Sequence, residues 1–322
     1  ALITGNEKWK TAVENYCLKV LESEITVAGS GGGDGPTYNT HSVAGGEQWN
    51  NMAVEQTNPD NKHLQETCVT VTWFKLCRRV LFMTDNTKIA DAIETTIYNS
   101  LLAAIKGSEA DGVTGGAADY IWDYFNPLNG THNNNGGGCI AGLNSCCPAN
   151  GPSATGLIPF TQIMNSQSGP VVNLYIPGTV TAQTPNQQKV SLQTTTEYPK
   201  DGEIHIEVTP DQTENFTIRF RIPEWSSNTT VTINGEGISN VTPGCYLAIT
   251  RDWKQGDTID IKLDMRTRII ENQAGQKTEA GEYQALIRGP ILLARDARFQ
   301  DGSVLEGGMI KTDQDGYAVV TP

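Results

Sequence analysis

Near residue 165 the hydrophobic pattern changes period, and that change confines the chain to a helical part followed by a β part. Before it, apolar residues return every three or four positions. In "NEKWKTAVENYCLKVLESEI" Trp9, Val13, Cys17, Val20 and Leu21 form one stripe. "HLQETCVTVTWFKLCRRVLFMT" reads as a second helix, closed by the polar "DN". A third begins at "TKIADAIETTIYNSLLAAIKG", where Ile89, Ile93, Ile97 and Leu101 recur at four-residue spacing and predict one buried face. Beyond the change, "PVVNLYIPG", "EIHIEVTP", "FTIRFRIPEW", "TVTINGEG", "TIDIKLDMRTRII" and "ALIRGPILLARD" are short segments divided by Gly, Pro, Asn and Asp. "IHIEV" and "FTIRFRI" alternate apolar with polar, so each buries one face. The expectation is an α+β chain: a helical domain over 1–162 and an antiparallel β-sandwich region over 163–322, with a further division near 266.

Two Gly-rich stretches interrupt the helices, "GSGGGDGPTYNTHSVAGGEQW" and "LNGTHNNNGGGCIAGLNSCCPANGPS". Loops this long in a compact domain are usually functional or disordered, and both of these carry reactive side chains. The formal charge is −13, from 36 acidic and 23 basic residues, with no Lys/Arg cluster. Such a surface repels phosphate backbones, which excludes nucleic acid and leaves a neutral partner such as a sugar compatible. No apolar run approaches the roughly 20 residues of a membrane span. The first residues, "ALITGNEKWK", read as if mid-protein and show no leader. Four Asn-x-Ser/Thr sequons, at Asn129, Asn215, Asn228 and Asn240, permit secretion and glycosylation.

The seven cysteines are an odd number, which argues against a framework of disulfides alone. Cys146 and Cys147 are neighbours in a loop rich in Gly, Asn and Pro. Adjacent thiols rarely bond to each other, but thiolates bind zinc strongly, and a tetrahedral site needs four N, S or O ligands. "QETC" offers Glu66 and Cys68. Inside a helix, positions i and i+2 point about 200° apart. At a helix entrance, with one residue still extended, they can converge, so a site of Glu66, Cys68, Cys146 and Cys147 is geometrically possible. Spacing alone leaves Cys68 open to a second reading, a buried core thiol. Glu47 in "AGGEQW" follows two glycines that let backbone approach a ligand, and precedes Trp49, which can stack on a sugar ring; the other reading is a solvent-facing carboxylate. His63, His132 and His205 show no ligand spacing.

Taken together and in order, these segments resemble glycoside hydrolase family 127, the β-L-arabinofuranosidase family. "LITGNEKWKTAVENYCLKVL", "GGEQW", "ETCVTVTWFKLCRRVLFMTDNTKIADAIETTIYNSLLAAI", "NPLNG", "SCCPANG", "VNLYIPG", "FTIRFRIPEW" and "ALIRGPILLARD" carry the likeness. The resemblance implies the second half of an (α/α)6 barrel, followed by the sandwich. It implies zinc held by Glu66, Cys68, Cys146 and Cys147, with Cys146 as nucleophile and Glu47 as general acid/base of a retaining glycosidase. Relatives often have a histidine just before the acid, which marks His41 for a sugar hydroxyl against a plain surface position. Trp122 and Tyr124 fall in a segment that lines the pocket in relatives; core packing explains them equally. The first half of the barrel is expected from elsewhere, including a second chain, with homo-oligomerisation as another arrangement. With three thiols on zinc, Cys17, Cys77, Cys139 and Cys245 remain for two disulfides in a secreted protein. Two rivals stand beside the enzyme: a non-catalytic secreted glycan-binding or structural subunit with a structural zinc, and an oxidoreductase with a redox-active vicinal pair.

Overall fold

The computed structural model describes residues 1–32, 49, 53, 56, 64–105, 122–126, 128, 146–271, 284–294 and 310–319. His41, Glu47, His63, Asn129, His132 and Cys139 lie outside the described residues. The chain is a mixed α/β protein with few helices and several sheets.

Helix α1 (Glu7–Ser23) starts at Asn6, whose Oδ1 accepts from the Lys8 N–H at 3.0 Å. Helices α2 (Thr67–Met83) and α3 (Thr87–Thr95) follow, and α3 runs on as a π-helical turn over Thr96–Leu101. Ile89, Ile93, Ile97 and Leu101 all fall on the buried face, none more than 3% exposed. They pack with Trp73, Phe74, Val80 and Ile25 into the helical core. Trp9 departs from its expected stripe and is 60% exposed. The cause is that α1 buries only Cys17 and Val20, from its later turns. The π turn has a local partner: Gly29, at φ +80°, lies so close that a Cβ there would meet Thr96 N at 2.7 Å, and Thr96 Oγ1 donates to Gly29 O.

Two short helices, α4 (Cys146–Thr155) and α5 (Pro159–Gln162), lead into the strands. These are β1 (Ile163–Ser166), β2 (Gly169–Val172), β3 (Gly178–Gln183), β4 (Lys189–Thr196), β5 (Glu203–Pro210), β6 (Glu214–Ile222), β7 (Thr230–Ile233), β8 (Glu236–Gly237), β9 (Cys245–Trp253), β10 (Asp257–Lys262), β11 (Thr267–Glu271), β12 (Gln284–Arg288) and β13 (Ile291–Leu292). One sheet has the order β1-β2-β6-β9, a second β3-β4-β5-β10-β7-β8, and a third β11-β12-β13. Alternate residues of the first two meet in one core: Phe216, Ile218 and Phe220 from β6 against Leu192, Ile206, Val208 and Ile259. The expectation of purely antiparallel pairing is corrected at one place. β2 and β6 are parallel, Val171 opposite Arg219, because the chain leaves for β3–β5 in the other sheet before returning.

The helices are tied to the strands by a buried ionic cluster. Arg221 of β6 is 0% exposed and pairs with both Asp91 and Glu94 of α3. Tyr198 donates to the same Glu94 at 2.7 Å, and Trp225 also reaches it.

Candidate metal centre

Two helix starts build the centre. Glu66 stands just outside α2 as its N-cap, extended at φ −61°, ψ 131°, and its Oε2 accepts from the Val69 N–H at 2.6 Å. The segment 122–125 fixes this entrance: the Thr67 N–H donates to Tyr124 O at 3.0 Å and Thr67 Oγ1 to Asp123 O at 2.6 Å. With Oε2 engaged on the helix, Oε1 is turned to Cys147 Sγ at 3.0 Å. Cys68 sits in the first turn, its sulfur 3.5 Å from that of Cys147.

The vicinal pair is not in a loop, as its composition suggested; it opens α4. Proline is tolerated in a first helical turn, where its missing N–H costs nothing. Packing holds the rest, despite Pro152 inside the helix. Trp122 lies where a Cβ on Gly151 would be, 2.3 Å from its ring, and Lys75 of α2 donates to Ser153 Oγ at 3.0 Å. Asn150, one turn beyond Cys146, donates its side-chain amide to Cys68 Sγ at 3.1 Å. Tyr124 faces the other side, its hydroxyl accepting from Cys146 Sγ at 3.7 Å. Sequence reasoning missed Asn150. The signal was its four-residue spacing from Cys146, visible only once 146–155 is read as helix.

Glu66, Cys68, Cys146 and Cys147 each offer one atom, and these four atoms lie within 4.8 Å of one another. A zinc with bonds of about 2.3 Å to sulfur sets tetrahedral edges of about 3.8 Å between sulfurs. The observed separations match that scale, and the donor set of three sulfurs and a carboxylate suits a borderline-soft divalent ion. The residues therefore fit zinc.

The electrostatics point the same way. Burial pushes the Glu66 carboxyl up to about 8, with Cys68 adding to it. Partial desolvation against the cluster raises Cys146, to about 12, helped by Cys68 and Glu66. Cys147 is raised by its hydrogen bond with Cys68 and by burial. Only Cys68 is lowered, to about 6, chiefly because Cys147 hydrogen-bonds to it. Four proton-losing groups thus compete for one negative charge, a conflict that a cation removes.

Cys147 is 0% exposed and Cys68 half-buried, while Cys146 is exposed. A cleft of about 430 Å³ opens beside it, lined by Trp49, Glu66, Cys68, Val69, Thr72, Cys146 and Asn150. Trp49 stands edge-on to Trp73 at the cleft wall. Trp122 is buried in the helical core at 5% exposure, away from the cleft lining. Asn215, Asn228 and Asn240 are exposed, and His205 is on the surface against Asp260. Cys245 begins β9 and is exposed.

Both parts of the chain match one class of glycoside hydrolase. The profile described as "Beta-L-arabinofuranosidase, GH127 catalytic domain" matches residues 1–155, and "Beta-L-arabinofuranosidase, GH127 middle domain" matches 170–265. The chain belongs to glycoside hydrolase family 127, the β-L-arabinofuranosidase family. Among solved structures, it resembles a GH127 β-L-arabinofuranosidase from Geobacillus stearothermophilus T6, with a TM-score of 0.69 at 24% identity over 89% of this chain and 43% of that one. Another, described as a GH127 β-arabinofuranosidase, gives 0.71 at 24% identity over 90% and 44%. A third, described as a glycoside hydrolase, gives 0.64 at 21% over 86% and 46%. The chain thus spans less than half the length of these relatives. No curated protein sequence matches it.

Proposed function

We propose that this chain is part of a zinc-dependent, retaining β-L-arabinofuranosidase-like glycosidase in which Cys146 is the nucleophile and Glu47 the general acid/base. The observation that carries the reading is the asymmetry of the vicinal pair. Cys147 is sealed against Glu66 and Cys68, while its neighbour opens to the cleft. Glu66, Cys68, Cys146 and Cys147 would hold the ion, which supplies charge that keeps the sulfurs deprotonated at neutral pH.

In the first step the Cys146 thiolate attacks the anomeric carbon of a β-linked L-arabinofuranoside or a related plant or algal sugar. The carbon–oxygen bond breaks, and Glu47 gives its proton to the leaving oxygen. In the second, Glu47 takes a proton from water, whose oxygen displaces sulfur from the same carbon and restores the thiolate. Two inversions retain the configuration. Trp49 in the cleft wall flanks the sugar and His41 reaches a hydroxyl, while the buried Tyr124 steadies the Cys146 sulfur through its hydroxyl. The helices form the second half of an (α/α)6 barrel. The remaining wall of the pocket comes from sequence outside this chain or from a second chain. The exposed sequons at Asn215, Asn228 and Asn240 suit a secreted glycoprotein.

In the protein with its pocket complete, Cys146→Ser is expected to lower turnover of an aryl β-L-arabinofuranoside by roughly ten-thousand-fold or more. Cys245→Ser, on the exposed start of β9, leaves it near wild type. Equal turnover in the two variants removes the nucleophile. NMR of the first-formed sugar should show the β anomer; the α anomer would rule out double displacement.

A further inference from the structure

Outside the metal centre, two other thiols meet. Cys17 of α1 and Cys77 of α2 are both 0% exposed, with their sulfurs 3.8 Å apart in the helical core. We propose that these two cysteines form a disulfide that staples α1 to α2 when the protein folds in an oxidising compartment. The proposal is independent of the zinc reading, since neither thiol belongs to the Glu66 cluster.

The geometry asks little of the fold. A disulfide needs its sulfurs about 2.05 Å apart, so they must close by less than 2 Å, within the reach of small side-chain rotations. The place matters as much as the distance. Cys17 is one of only two α1 residues that reach burial, so the bond would act where that helix is held. It would also close the stretch 17–77, which contains Glu47 and the α2 entrance with Glu66 and Cys68. Cross-linking a stretch that long removes much of the freedom of the unfolded chain.

Burial dictates the timing. Being buried pushes the Cys77 thiol well above its ordinary value, so the folded pair offers little thiolate and no path for an oxidant. The bond forms before α1 docks fully. One thiolate attacks a small-molecule or protein disulfide, releasing one of its sulfurs as a thiol. The other Cys thiolate then attacks the mixed disulfide and releases the second. Two cysteine thiols lose two protons and two electrons, and the oxidant's disulfide becomes two thiols. Once made, the bond is shielded from reductants by the same packing.

The test is a thiol map of the full chain produced in an oxidising secretory compartment. The protein is unfolded in guanidinium with iodoacetamide and no reductant, digested and weighed. The expected product joins the Cys17 and Cys77 peptides and separates on reduction. Full alkylation of both residues, or linkage of either to another cysteine, overturns the proposal. A second reading uses heat. Wild type reduced in guanidinium and refolded under reductant should unfold roughly 5 °C or more below the oxidised protein, and Cys17→Ala/Cys77→Ala treated in the same way should not move. An unchanged wild type, or an equal fall in both, overturns the staple.

Discussion

Glu66 uses its two oxygens for different work: Oε2 caps α2 by accepting from the Val69 N–H, and Oε1 faces Cys147. The convergence with Cys68 is legible in "QETC" once Glu66 is placed outside the helix, because a capping residue is extended and escapes the 100° per residue of the helix behind it. Glu66→Gln separates the two tasks. The amide oxygen can still cap Val69, but the NH2 group is no ligand. Zinc retained after dialysis against a chelator should fall at least tenfold. Metal-free stability, by urea denaturation, should stay within about 1 kcal/mol of wild type. Undiminished zinc would remove the carboxylate from the ligand set. Glu47 and His41 lie outside the described residues, so for them the sequence remains the whole argument.

At the scale of elements, periodicity read α3 well and α4 not at all. Ile89, Ile93 and Ile97 form an amphipathic stripe that local chemistry alone produces. Residues 146–155, with two prolines and a glycine, have almost no helix propensity, and no hydrophobic period marks them. Their helix comes from contacts distant in sequence, with Trp122 over Gly151 and Lys75 on Ser153. The same reason hides the parallel β2–β6 pair, which depends on where the chain returns after β5. Gly151→Ala tests this account of α4. A Cβ would stand 2.3–2.6 Å from fused ring atoms of a buried indole, which cannot swing aside as a chain end can. The expected loss is about 1–3 kcal/mol in urea. Gly156→Ala, whose Cβ meets nothing nearer than 3.4 Å, should change stability by about 0.5 kcal/mol or less. Equal effects would place the constraint elsewhere.

At the scale of the whole molecule, the position of the helices against the strands depends on Arg221. It is sealed from solvent between Asp91 and Glu94, and its Nε donates to Asn173 O at 2.6 Å. Removing one member of such a cluster leaves charge buried without a partner. Arg221→Met should therefore cost about 3–5 kcal/mol at pH 7, although it adds apolar surface. The pH dependence distinguishes this cause from lost packing. Burial already pushes Asp91 up to about 6, against the pull of Arg221; without the guanidinium its proton is held more tightly still. An unfolded aspartate titrates near 3.9, so between these values the folded variant binds more protons than the unfolded chain. A raised folded-state value means stability that is present at low pH and lost as pH rises through it. The gap between Arg221→Met and wild type should thus be smaller at pH 5 than at pH 7.5, by denaturant titration at each. Adding Asp91→Asn and Glu94→Gln should restore part of the loss at pH 7.5 and little at pH 5. A gap that ignores pH would mean that Arg221 holds the two parts by shape alone.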